Sequence, residues 1–390
     1  MILKNCRLIP ELCEGFQETN ADIRIEGNMI AEILPANGTY TDQEVIDCTG
    51  KTVLPGLFNI HNHLFFYTMD WPKIRGGLTE YEYTMTAVRF MNKLLSYGFT
   101  SLRDVGSPYN LAIKLRNDIN AGKMVGPDIK ACGIIITPTH MAPAELECYS
   151  SNYGEPCDNP YAVRAKVRKQ IVEGADFIKI LGCPAAPCAH GDGSLFYEDE
   201  MAELINTVNK EKSYLAIHTN SIESNTDTLN YEVYSLEHGH FWTKEHTQLW
   251  IDHGKKTHIV PTLQVTWVYG KDVCAWHCAG LMDAYQAGAK FGFGTDATEE
   301  VFTADPGGEF IARSEVWGIP SVEIFKQATI YSAEIMGTAN ERGSIKVGKR
   351  ADFAIIDGNP DEDLTLMGKP CAYVLKDGVV VASNGLVKAI

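Results

Sequence analysis

The residues in this chain best equipped for chemistry are four histidines, a lysine and an aspartate, found at the ends of short apolar runs. His61 and His63 close the run Asn59-Ile60-His61-Asn62-His63. Alternate residues of a strand point the same way, so both imidazoles can face one metal ion. Taken alone, the pair reads more simply as two unrelated histidines beside a loop. Lys179 sits inside the apolar run Phe177-Ile178-Lys179-Ile180, and a lysine is rarely buried without a partner. Three chemistries would account for it: a cation paired with a carboxylate, an unprotonated base, or an amine that takes up carbon dioxide as a carbamate. The last converts a cation into an anionic oxygen ligand able to bridge two metals, whereas the ion pair is the simplest account of the lysine alone. His218 ends Ala216-Ile217-His218, His238 ends Ser235-Leu236-Glu237-His238, and Asp296 ends Gly294-Thr295-Asp296. Six ligand-type residues placed in this way are hard to assign to chance. Their mix of imidazole and carboxylate suits zinc best, with manganese, cobalt or iron left open.

The elements that must position these residues follow from the pattern around them. Residues 56–62, 98–104, 130–136, 176–181, 214–218, 233–237, 257–261 and 290–294 read as short buried strands. Amphipathic helical patterns lie between them, for example Glu80 to Leu95, Tyr161 to Glu173, Glu198 to Lys210 and Ser321 to Met336. Eight strands alternating with helices predict an α/β protein built on a (β/α)8 TIM barrel, in which active-site groups gather at the carboxyl ends of the strands. Both ends of the chain have a different texture, with apolar runs broken by turn signals such as Asp357-Gly358-Asn359-Pro360 and Asp377-Gly378. The expected organisation is a barrel over 55–344, with a small β-sandwich domain formed by both termini, 1–54 with 345–390.

Composition narrows the function classes. A chain of 390 residues with 45% apolar and 22% charged residues is long enough for a large core and is ordinary for a globular protein. A formal charge of −16 argues against nucleic acid as a partner, because phosphate binding needs a basic face. The opening stretch is interrupted by Asn5, Glu11 and Glu14, and no apolar run reaches membrane-spanning length, so the expectation is a cytoplasmic protein without a membrane partner. Eleven cysteines are an odd count in a long chain and read as thiols. Cys183 with Cys188, and Cys274 with Cys278, lack the second pair that a zinc ribbon needs.

The full set of motifs resembles the amidohydrolase superfamily, and within it the imidazolonepropionase-like amidohydrolases and Xaa-Pro dipeptidases (prolidase-like). The matching pieces are Leu54-Pro55-Gly56-Leu57 leading into His61 and His63, GFTSLRDVG at 98–106, GADFIKI at 174–180, LEHG at 236–239, VPTL at 260–263, GTDA at 294–297 and VGKRADFAIID at 347–357. The resemblance implies two divalent metal ions, zinc foremost, bridged by carbon dioxide held as a carbamate on Lys179. It implies that His61, His63 and Asp296 hold the more buried ion and that His218 and His238 hold the other. A bridging hydroxide is then the nucleophile, and Asp296 takes its proton and passes it to the leaving amine.

His140, after the third strand, is the candidate for polarising the scissile carbonyl or holding a substrate carboxylate; a surface histidine is the plainer alternative. Asn220 stands where dipeptidase-like members carry a tyrosine and is the second substrate-binding candidate. Asn59 replaces an acidic residue common before His-x-His. The expected reaction is hydrolysis of an amide-type bond in a small molecule: an N-acyl amino acid, a dipeptide, a small lactam or an aryl amide. Deamination of a ring-amino substrate is the second reading. Single-metal deaminases add an acid three residues after the strand-five histidine, where this chain has Ser221, and lack the strand-four lysine. A barrel that kept its shape and lost its chemistry should lack ligands, and none is missing. Trp71, Trp267, Tyr269 and Trp276 are expected in loops that would surround the barrel mouth, with Lys73 and Arg75 the nearest basic residues after strand one. Family members are often homo-oligomers.

Overall fold

The computed structural model describes residues 1–41, 44–68, 78–138, 154–184 and 195–388. The amino-terminal region gives β1 (Ile2–Arg7), β2 (Asn20–Glu26), β3 (Met29–Pro35), β4 (Val45–Asp47) and β5 (Lys51–Pro55). The central region gives β6 (Leu57–Asn62), β7 (Phe99–Asp104), β8 (Asp128–Ala131), β9 (Ile135–Thr137), β10 (Gly154–Pro156), β11 (Ile178–Leu181), β12 (Leu215–Thr219), β13 (Ser235–His238) and β14 (His258–Val260). The chain ends on β15 (Phe353–Asp357), β16 (Tyr373–Lys376), β17 (Val379–Ser383) and β18 (Leu386–Val387).

Strands from the two ends of the chain join in one nine-stranded sheet of order β18-β17-β16-β15-β5-β1-β2-β3, with β4 on β1. The seam between them is the antiparallel pair β5–β15, in register from Lys51 opposite Asp357 to Pro55 opposite Phe353. The turn between β16 and β17 is the Asp377-Gly378 pair, both with positive φ, 49° and 75°. That is the backbone a tight hairpin requires, and a side chain at Gly378 would collide with the Gly27 carbonyl.

The central strands form two parallel sheets, β6-β7-β8 and β10-β9-β11-β12-β13-β14. The stretch expected as one strand over 130–136 is two pieces, β8 and β9. Gly133 breaks it with φ of 74°, and Gln170 fills the break, its amide donating to the Cys132 carbonyl at 2.8 Å. The run expected as the eighth strand, 290–294, carries no regular ladder. It is nevertheless held on both sides: Ile60 N–H donates to the Phe293 carbonyl and Gly292 N–H to the Ile259 carbonyl. A third tie comes from Ser332, whose hydroxyl accepts the Phe293 N–H at 3.0 Å. Ser332 follows a wide helical turn, Gln327–Tyr331, that interrupts the helix expected to run from Ser321 to Met336.

Helices lie between the strands as the periodicity predicts. Glu80–Ser96 starts on a reciprocal cap between Thr79 and Glu82, buries Tyr83, Ala87, Phe90, Met91 and Leu94, and packs against β16, β17 and β18. None of the nine described cysteines forms a disulfide, and all are buried; Cys188 lies outside the described residues. No described helix is long and apolar enough to cross a membrane.

Candidate metal centre

The six expected ligands lie in, or just beyond, strands of the two parallel sheets and the run 290–294. His61 lies in β6 and His63 just past it, Lys179 in β11, His218 in β12, His238 at the end of β13, and Asp296 just beyond 290–294. Nε2 of His61 and Nε2 of His63 are each 3.6 Å from Oδ1 of Asp296. These three residues form the one group of three or more metal-capable side chains gathered among the described residues. The alternation expected of the His-x-His pair is therefore what the structure shows.

His218 and His238 adjoin this group. Nδ1 of His218 lies 2.8 Å from Nε2 of His238. Nδ1 of His238 lies 3.9 Å from Oδ2 of Asp296, and the His238 ring centroid is 4.5 Å from that of His61. Register explains the depths: His218 is level with Leu181, so Lys179 sits two residues deeper on the same face. His238 and Asp296 both have left-handed backbones, with φ of 69° and 50°. Such conformations cost a non-glycine residue about 1–3 kcal/mol and concentrate at working sites. At His238 the reversal ends the strand's alternation, so His238 and its neighbour Glu237 both reach the centre.

Glu237 is the centre's main unforeseen member. Its carboxylate accepts His61 Nδ1 at 2.7 Å and the Arg103 guanidinium at 2.6 and 2.8 Å. Arg103, fully buried in β7, also donates to the Ile60 carbonyl at 2.6 Å and to Ser235 at 3.2 Å. The end of β7 and the residues just past it serve the second histidine: His63 Nδ1 lies 3.0 Å from the Gly106 carbonyl, and Asp104 accepts the Leu64 N–H at 2.9 Å. Thr262 takes His238 Nδ1 at 2.7 Å. Each outer nitrogen thus has a partner that turns the other nitrogen of the ring inward. Asn59, which replaces the more common acid, exchanges hydrogen bonds with Thr295 and so steadies the residue before Asp296. A charged Arg-Asp pair in the apolar GFTSLRDVG segment, and a glutamate beside His238, were the available signals.

Burial dominates the electrostatics. It pushes His61 down to about 4 and His63 to about 3, and it holds His218 and His238 well below the ordinary histidine range. All four rings are therefore neutral lone-pair donors at pH 7, the form a metal needs. Burial raises Asp296 to about 7, with Lys179 opposing. Burial works against the charge on Glu237 too, but Arg103 and His61 outweigh it and keep the carboxyl far below its usual range.

Lys179 is 1% exposed, and its Nζ has no hydrogen-bond partner among the described residues. Burial lowers it to about 8 against the attraction of Glu237 and Asp296. Its charge is felt by His61, His63, His218, His238 and Asp296 alike. No carboxylate within the described residues bonds this amine, so the simple ion-pair account finds no partner among them.

Asn220 is brought to the site, its amide nitrogen 2.9 Å from His218 Nε2 and its backbone N–H 3.0 Å from Cys183 Sγ. His140, Trp71, Lys73 and Arg75 lie outside the described residues. Trp267 and Trp276 lie in the helices Gln264–Trp267 and Lys271–Cys278 rather than in loops; Tyr269 and Trp276 are exposed, and Trp267 is half-buried. Ser221 caps the helix Ile222–Asn230 by accepting the Ser224 N–H.

A parallel-stranded α/β framework that gathers His61, His63 and Asp296, with His218, His238 and Lys179 beside them, has the donor set of a metal-binding hydrolase. Residues 52–381 match the amidohydrolase family, and the chain belongs to it. The chain is similar to a solved Xaa-Pro dipeptidase with bound methionine, at 27% identity and a TM-score of 0.83, covering 97% of this chain and 98% of that one. It is also similar to a prolidase complexed with N-methylphosphonate-L-proline, at 25% identity and a TM-score of 0.83, covering 98% and 99% of the two chains. A curated relative, the 5-methylthioadenosine/S-adenosylhomocysteine deaminase of Thermoanaerobacter pseudethanolicus, is 23% identical over 92% of this chain and 85% of its own length. The protein is an enzyme acting on carbon–nitrogen bonds.

Proposed function

We propose that this enzyme is a binuclear metal-dependent hydrolase that cleaves an amide-type bond in a small molecule: an N-acyl amino acid, a dipeptide, a small lactam or an aryl amide. The observation that carries the reading is Lys179, a buried amine without a hydrogen-bond partner among the described residues, whose charge acts on all five other candidate ligands. As an ammonium it would repel any cation placed there. As a carbamate it would supply two oxygens sharing one negative charge to the same space, and its lowered proton affinity favours the free amine that reacts with carbon dioxide.

His61, His63 and Asp296 would hold one divalent ion and His218 and His238 the other, with the Lys179 carbamate shared between them. Zinc suits the donor set best. Bound there, such ions would lower the pKa of water toward neutrality and polarise a carbonyl. Glu237 and Gly106 fix the inward nitrogens of His61 and His63. Asp296, with 20% of its side chain accessible, accepts a proton at its carboxylate and delivers it to the leaving amine. A half-turn of the Asn220 amide would present its oxygen to His218 Nε2–H and leave Nδ1 for a metal. His140 is the proposed contact for the scissile carbonyl or a substrate carboxylate. We infer further that the two parallel sheets and residues 290–294 close as a (β/α)8 barrel over 55–344, with both termini, 1–54 and 345–390, forming a small β-sandwich domain against it. The hydrogen bonds from 290–294 to β6 and β14 support that closure.

The deaminase relative keeps deamination as the second reading. Ser221, committed to capping a helix where single-metal deaminases place an acid, argues against it. A hydrolysis screen over the four amide classes and ring-amino compounds, read by mass spectrometry, separates the two. An amine or amino acid released with a carboxylate is expected, from protein carrying close to two divalent ions and the added mass of carbon dioxide on Lys179. Ammonia from a ring-amino substrate as the only product, with one metal and an unmodified lysine, would reverse the ranking.

A further inference from the structure

Two histidines that the metal reading leaves unused lie beside the centre. His240, two residues past His238, has its ring centroid 5.5 Å from that of His238 and 5.2 Å from that of His277. His277 in turn packs 4.9 Å from Phe241 and 4.9 Å from Trp276, whose indole is exposed. The rings form a continuous series from the surface to the metal ligands. His240 and His277 are only 2% and 7% exposed, yet Nδ1 and Nε2 of His240 and Nδ1 of His277 have no hydrogen-bond partner among the described residues. The Thr262 carbonyl lies near the His240 ring and raises its proton affinity, but makes no hydrogen bond of ordinary geometry. Buried polar atoms are nearly always paired, so three such atoms in one ring pair need an account.

The surroundings define what would satisfy them. Apart from burial, the groups acting on His240 are His277, the Thr262 carbonyl and His61, and burial alone acts on His277. Among the described residues no carboxylate, lysine or arginine is one of them. An ammonium brought to this place would find no counter-charge, and a carboxylate would find one only in the ions proposed for the adjoining centre, so burying either against these two rings would be costly. An imidazole presents one N–H and one lone pair, and its complement is an uncharged group that both donates and accepts. We propose that His240 and His277 form a specificity subsite that takes a carboxamide or hydroxyl carried by the substrate next to the His218–His238 side of the centre. This rests on the hydrolase reading above.

The test uses metal-loaded enzyme and matched probes, N-acetyl-glutamine against N-acetyl-leucine and N-acetyl-threonine against N-acetyl-valine, with binding measured by calorimetry and turnover by product release. The polar member of each pair should be favoured about tenfold or more, the usual result when a buried hydrogen-bonding site meets an analogue lacking the group. His240→Leu and His277→Leu should each bring the ratio close to one at wild-type metal content, and His240→Gln, which keeps a donor and an acceptor, should recover part of it. A wild-type ratio near one, meaning the pair holds only water, overturns the proposal even if the variants fail to fold. So does a ratio that survives in both leucine variants. A binding preference without hydrolysis keeps the subsite and removes the hydrolase reading, whereas hydrolysis without preference does the reverse.

Discussion

Replacing Arg103 with methionine keeps most of the stem volume and removes the one cation paired with Glu237 beneath His61. In the native protein both charged groups are fully buried, and two contacts of 2.6 and 2.8 Å join them. Unit charges about 4 Å apart attract by about 4 kcal/mol at an effective dielectric near 20. Deleting one member of a buried pair generally costs about 3–5 kcal/mol. Set against a total stability of about 5–15 kcal/mol, the variant should fold with a much lower urea midpoint.

The more specific consequence is chemical. Arg103 is the strongest of the neighbours holding Glu237 ionised against burial, so in Arg103→Met the carboxyl should take up a proton at pH 7. The sign of the pH dependence then reverses. Native Glu237 stabilises the fold above its unfolded pKa and loses that contribution as pH falls through its depressed folded value; in the variant, stability should instead fall as pH rises. A protonated Glu237 donates to His61 Nδ1 and leaves the ring proton on Nε2, the atom that faces Asp296. Metal affinity, measured by chelator competition, should drop about 10–100-fold at pH 7 and recover partly at pH 9. Arg103→Met with Glu237→Leu should regain stability but not affinity. Wild-type affinity in Arg103→Met, or a loss identical at both pH values, would refute the reasoning.

Asp104, buried and raised to about 7 chiefly by burial, keeps its proton in the folded state across a range where the unfolded carboxyl has lost it. Stability of the metal-free protein should therefore decline by up to about 4 kcal/mol as pH rises from about 4 to 7 and level off above. Asp104→Asn should lack that slope in urea titrations. Asp296→Asn should keep most of its metal by elemental analysis while kcat falls about 10²–10⁴-fold; full recovery with excess zinc would show a ligand role only. Chelated enzyme given zinc in carbon dioxide-free buffer should stay largely inactive until bicarbonate is added, and Lys179→Met should not respond to bicarbonate at all.

The six proposed ligands were readable because each interrupts or closes an apolar run, and strand periodicity then decides its direction. Glu237, Arg103, Gly106 and Thr262 were not, although all four lie in quoted motifs and Glu237 touches a proposed ligand in sequence. Their partners are dozens to more than a hundred residues away, as with His61 and Glu237, and nothing local says which carboxylate meets which ring. Glu237 was also hidden by alternation itself, which turns it away from His238 unless the backbone reverses, as it does. The same kind of local event broke strand three at Gly133. At 290–294 the apolar content was right, but a serine side chain replaced part of the expected ladder.

The β5–β15 seam has a consequence for synthesis. Leu54 and Ala354 face each other across the sheet although roughly 300 residues separate them. At about 5–20 residues per second, β5 waits roughly 15–60 s on the ribosome before its partner strand exists. For that interval Thr52, Val53 and Leu54, all buried in the finished protein, form an apolar edge next to a growing parallel sheet. Such an edge is the kind that pairs with other chains. Slowed elongation between residues 55 and 353 should therefore lower the yield of folded enzyme, and a trigger-type chaperone bound early should restore it.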